Sequence, residues 1–141
     1  MRILPKISVV MVNYNGLKYL HRSIPSILSL DYPNFEFVIV DNGSTDGSIE
    51  FIKKFKSVTL VISPRLREKN FACNFGVQNA AGDFIFLCDN DLLITDKSLL
   101  TELIEYVFSL ENVCCITIAY FEEGATLTKG YCNFQGNYYT K

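Results

Sequence analysis

Phe86–Asp91 reads FLCDND, an apolar stub that ends in Asp89, Asn90 and Asp91. Side chains of an extended segment alternate, so Asp89 and Asp91 project to the same side. Like charges held that close repel each other, so the pair does not serve stability. Two readings stay open at this point: the pair grips a cation, or it opens a polar loop. The residues just upstream, AAGDFIFLC, place it. Gly82 is a helix stop, and FIFLC is a short apolar run of strand type that carries the acids at its C-terminal end.

Working outward, apolar runs alternate with helix-like stretches, the pattern of a parallel sheet covered by helices. KISVVMVN (Lys6 to Asn13), FEFVIVDN (Phe35 to Asn42) and VTLVIS (Val58 to Ser63) are expected as the first three strands. Leu17, Leu20, Ile24, Ile27 and Leu28 recur at helical spacing, with Pro25 expected to kink or split that helix. Ile49, Ile52 and Lys53 carry a second helix, capped by Asp46. Asn70 to Ala80 forms a third, in which Asn74 and Gly76 serve packing and close approach. A further helix runs through Leu99, Leu100, Leu103, Ile104 and Val107, and VCCITIAY is expected as a fifth strand. The last stretch, rich in glycine and tyrosine, reads as hairpin-like β or an irregular tail. The fold class is therefore α/β, a mostly parallel sheet flanked by helices.

The 141 residues suffice for one domain with a sizeable core. Net charge is -2 without a basic stripe, which argues against nucleic acid as a partner. The 5 cysteines include an adjacent pair and no CxxC, so they read as free thiols in a reducing cytosol rather than a disulfide framework or a zinc site. The expected location is cytoplasmic, with peripheral attachment to the cytosolic face of a membrane left open. ISVVMV is too short for a signal core or a membrane span.

Right-handed crossovers bring the strand C-terminal ends to one edge, where ligands of such sheets bind. Three ends carry polar groups there: VNYNG, VDNGSTDGS and CDND. Asp41, Asp89 and Asp91 gather carboxylates, with Tyr14 and Asn15 beside them. A flat ring next to a carboxylate suits a nucleobase. Oxygen ligands suit a hard cation, Mg²⁺ or Mn²⁺, shared with phosphate oxygens. Neither GxGxxG after the first strand nor GxxxxGK[ST] occurs, which sets aside the dinucleotide and P-loop modes.

VVMVNYNG, FVIVDNGSTDGS and NFACNFGVQNAAGDFIFLCDND together resemble the N-terminal, nucleotide-sugar-binding half of family 2 glycosyltransferases of GT-A fold. The resemblance covers about Lys6 to Leu110, and residues 111–141 would begin the acceptor half. It implies a metal-dependent, inverting transferase that moves a sugar from a UDP- or dTDP-sugar to a saccharide or lipid-linked acceptor. It places Tyr14 and Asn15 at the base pocket and Asp41 on the uracil or thymine ring. Asp89 falls nearer the ribose and Asp91 on the diphosphate, both of them as metal ligands, with Asn90 among the nucleotide-binding residues and Asp83 near the nucleotide pocket.

Two departures stand out. Cys73 occupies a position where the family commonly has arginine, a charge that Arg65 or Arg67 could supply. The family's base is an Asp or Glu well downstream of the metal motif. Asp96, Glu102, Glu105 and Glu111 read as solvated helix residues, leaving Glu122 and Glu123 as weak candidates, so the base is expected to be missing. The rival readings are a donor-binding module that needs a partner subunit for turnover, and a scaffold that binds nothing. A nucleotidylyltransferase would want a glycine-rich basic loop where NYNGLKYL stands. An apolar face left uncovered would favour self-association.

Overall fold

A computed structural model describes residues 4–111, 115–118, 130–133 and 138–140. The chain divides into two compact units, Met1–Leu100 and Thr101–Lys141. The first unit holds β1 (Ile7–Asn13), α1 (Leu17–Leu28), β2 (Phe35–Asp41), α2 (Ser48–Ile52), β3 (Val58–Ile62), α3 (Lys69–Gln78) and β4 (Phe84–Asp89). Its four strands are all parallel, in the order β3-β2-β1-β4. The chain thus builds outward from β1 to β3 and then returns to the other side of β1. That reversal puts a topological switch point between β1 and β4.

Burial explains the order. All seven residues of β1 are buried, as a central strand covered on both faces requires. From Phe37 onward β2 is buried as well. At the edge, β4 alternates, with Ile85, Leu87 and Asp89 outward and Cys88 buried. Helix α3 lies against β1 and β2 at Gly76, where an added Cβ would come within 2.5 Å of Val10 Cγ1 and 2.8 Å of Val40 Cγ2. The close approach expected of this glycine is therefore present. Val12, Val40 and Ala72 form the buried contact, with Phe75 and Cys73 packed on it.

Pro25 does not split α1, which runs unbroken from Leu17 to Leu28. Its buried stripe, Leu20, Ile24 and Ile27, continues across the proline, and that burial outweighs a backbone penalty of about 3 kcal/mol. The lone His21 packs its ring against Phe51, with centroids 4.2 Å apart.

The second unit corrects one expectation. VCCITIAY does not extend the parallel series: its described part, β5 (Ile116–Ile118), runs antiparallel to β6 (Gly130–Asn133), which pairs antiparallel with β7 (Tyr138–Thr140). The hairpin-like reading of the tail matches β6 and β7. The helix around Leu103 is α4 (Leu99–Ser109). Asp96 accepts hydrogen bonds from the backbone and hydroxyl of Ser98 ahead of it, a turn-capping role. Glu122 and Glu123 lie outside the described residues.

Candidate functional site

Parallel register sets the C-terminal strand ends side by side: Asn13 faces Asp41 across β1 and β2, and Val12 faces Asp89 across β1 and β4. Asn13 joins them. Its side chain is fully buried, donates to Asp41 Oδ2 at 2.9 Å and Ser44 Oγ at 3.1 Å, and accepts from Asn90 Nδ2 at 2.8 Å. Asn15 ties the next layer, since Thr45 N donates to its Oδ1 at 2.8 Å while its own N–H reaches Ser44 Oγ at 2.9 Å. It does so from a left-handed backbone, φ 48°. Asp46 links α1 to α2, accepting from Leu17 N and from the backbone and hydroxyl of Ser48. Burial works against its charge, but these hydrogen bonds outweigh it and hold the carboxyl below its usual pKa.

Above this lattice opens a cleft of about 380 Å³ lined by Val12, Tyr14, Asn42, Arg67, Lys69, Asp89, Asn90 and Asp91. Tyr14 forms one wall, with the Arg67 guanidinium 5.6 Å from its ring centre. Arg67 holds a strained left-handed backbone, φ 65°, and its N–H donates to Asn42 O at 3.1 Å. Lys69 opens α3 and binds both oxygens of Asp89, at 2.9 and 2.8 Å. The hydrogen bond it donates to Asp89 raises the pKa of this lysine, which stays charged. Asp91 borders the cleft and also a second hollow beside Lys18, Tyr19 and Arg22.

The expected site residues separate into three groups. Tyr14, Asp89, Asn90 and Asp91 meet in the cleft. Asn15 and Asp41 lie at the same rim as loop ties. Asp41 is fully buried, and its carboxylate already accepts from Gly43 N, Ser44 N and Asn13 Nδ2. Asp83 is corrected: it sits at the opposite, N-terminal end of β4, where its carboxylate accepts from Lys6 N at 2.8 Å. Strand rise separates it from Asp89 by about 20 Å.

Three residues escaped the sequence reading. Asn13 is the hub just described. Lys69, rather than Arg65, joins Arg67 as the basic charge of the cleft. Asn42 is 3% exposed, lines the cleft, and has a side-chain oxygen with no hydrogen-bond partner. Its position directly after Asp41 was the available signal: one of two adjacent polar residues at a strand end turns inward and the other meets the ligand edge.

Residues 8–141 match the family model described as Glycosyl transferase family 2. The chain belongs to that family, and its first unit has the α/β fold of the GT-A glycosyltransferases. A relative described as an uncharacterized glycosyltransferase, from Haemophilus influenzae, is 34% identical over 95% of this chain and 51% of its own length. Staphylococcus aureus TarS 1-349, solved in complex with UDP-GlcNAc, aligns at TM-score 0.65 and 26% identity over 74% of this chain and 31% of its own. The mannosyltransferase PcManGT from Pyrobaculum calidifontis, solved with GDP-Man and Mn²⁺, aligns at TM-score 0.72 over 79% of this chain and 34% of its own. At 24% identity that likeness speaks for the fold alone. The chain spans about half the length of the Haemophilus relative.

Among the described residues, no cluster of three or more metal-binding side chains occurs. Asp89 and Asp91 nonetheless fit a hard divalent ion. They are two carboxylates at one corner, and a lysine ammonium already stands on Asp89 as a cation would. An ion such as Mg²⁺ completes its shell with water and phosphate oxygens rather than further protein ligands. No helix among the described residues is long and apolar enough to cross a membrane.

Proposed function

We propose that this chain is the donor-binding half of an inverting glycosyltransferase that takes a UDP- or dTDP-sugar and passes the sugar to a saccharide or lipid-linked acceptor. The observation that carries the proposal is the cleft at the switch point, which combines an aromatic wall, an asparagine amide, two basic side chains and a pair of carboxylates.

In this reading the pyrimidine ring lies along Tyr14. The base contact passes from Asp41, which is fully buried and already accepts three hydrogen bonds, to Asn42. Asn42 Oδ1 is buried without a donor, at a cost of about 1–3 kcal/mol, and a turn of this side chain into the cleft lets the ring N3–H of uracil or thymine relieve that cost. Asp41 instead holds the loop that presents Asn42. The diphosphate lies toward Lys69 and Arg67, with Asp89 and Asp91 holding Mn²⁺ or Mg²⁺. When bound, that ion neutralises charge building on the leaving diphosphate. Asn90 fixes the turn that carries Asp91 by donating to Asn13. The acceptor and its general base belong to the remainder of the site, beyond the described cleft.

Calorimetric titration with UDP tests the proposal. UDP binds in the presence of Mn²⁺, and Asp91→Ala weakens that binding about 100-fold. Equal UDP affinity with and without Mn²⁺, unchanged by Asp91→Ala, overturns it.

A further inference from the structure

Lys69 is set against its helix. A cation in the first turn of α3 opposes the helix dipole, and the preceding Glu68 makes no side-chain cap. What holds the lysine there is Asp89, both of whose oxygens lie within 3 Å of its ammonium. Asp89, Asp91 and Arg67 border the same cleft as Lys69, so a ligand entering it would meet the ammonium and the acids together.

This arrangement has a consequence for any divalent ion. To bind Asp89, the ion must displace an ammonium and then lie beside it, and the two positive charges repel. A diphosphate reverses the balance, because it offers the displaced ammonium new acceptors. The pair is surface-like, its side chains 63% and 55% exposed, so it exchanges partners at small cost. We infer that Lys69 is an internal counter-cation: in the empty cleft it occupies Asp89 and holds off the divalent ion, and on nucleoside diphosphate binding it moves to the phosphates. Metal and nucleotide then bind as a coupled pair, each favouring the other. The inference rests on the donor-site reading above.

The test follows Mn²⁺ binding by electron paramagnetic resonance, with and without UDP, in the unaltered chain, Lys69→Gln, Lys69→Arg and the distant control Lys56→Gln. Lys69 is exposed, so its replacement leaves the fold intact, which the circular dichroism spectrum verifies. Without UDP, Lys69→Gln binds Mn²⁺ about ten-fold tighter than the unaltered chain. With Mn²⁺ saturating, the same change weakens UDP about ten-fold. Lys69→Arg restores both values, and Lys56→Gln changes neither. If UDP and Mn²⁺ bind the unaltered chain together but Lys69→Gln leaves the affinity for Mn²⁺ alone equal or weaker, the counter-cation role is wrong while the donor site stands. If the unaltered chain binds neither, the donor-site reading falls and takes this one with it.

Discussion

Asp41 and Asn42 adjoin in sequence and do different work. Asp41 is buried behind the cleft and accepts from two backbone amides and from Asn13. Asp41→Asn turns an amide donor toward one of these donors and is expected to cost about 2 kcal/mol of stability, read as a lower thermal midpoint. Asn42→Ala removes an oxygen that has no partner in the folded chain. It should leave the midpoint near its original value and weaken UDP binding about ten-fold, as calorimetry will show. The cysteines divide in the same way. Burial, followed by the charges of Asp89 and Asp91, pushes the Cys88 thiol up to about 12. Burial also raises Cys73, while Cys115 is exposed. Alkylation of the native chain at neutral pH, mapped by mass spectrometry, should therefore spare Cys88. Residue types at the site were legible from the sequence, because strand ends must carry polar groups to the rim. The choice between Asp41 and Asn42 was not, since it depends on which side chain the turn through Gly43 draws inward.

Each end of the sheet has its own lock, and only one faces the cleft. At the far edge Glu36 accepts from Lys6 Nζ at 2.7 Å, Ser8 Oγ at 2.5 Å and Ala81 N at 2.6 Å. Burial works against the charged form, but these bonds outweigh it and leave the carboxyl below its usual pKa. Glu36 therefore stabilises the fold while both states are ionised, and the contribution fades as pH falls below about 4.5. Glu36→Gln should lower stability by about 1–2 kcal/mol near neutrality, with the difference from the unaltered chain shrinking by about pH 3 in urea titrations. Helix α3 makes a second demand. Gly76→Val drives a branched side chain into Val10 and Val40 and should cost about 3 kcal/mol or more. The strands and helices of the first unit were readable because β1 and β2 are continuous apolar runs and α1 keeps a helical stripe. The fifth strand was misread because an apolar run states that a strand exists but not which partner it takes. Asp83 stood near the pocket by family resemblance alone; it precedes β4 and Asp89 ends it, so a whole strand separates them.

At the scale of the molecule, one topological fact organises the site. The chain turns back after β3 to lay β4 on the open side of β1, and the Asp89–Asp91 corner lands beside the ends of β1 and β2. That placement brings an aromatic wall from one loop, an amide from a second and the acids from a third into one cleft, although Tyr14 and Asp91 stand far apart in the chain. The most direct measurement is the anomalous diffraction of manganese from crystals grown with UDP and Mn²⁺. The account predicts a single strong peak between the Asp89 and Asp91 carboxylates and the UDP pyrophosphate, with the uracil ring along Tyr14 and its N3–H on Asn42. Nucleotide density in the cleft with no manganese at that corner, or UDP bound elsewhere, would contradict it.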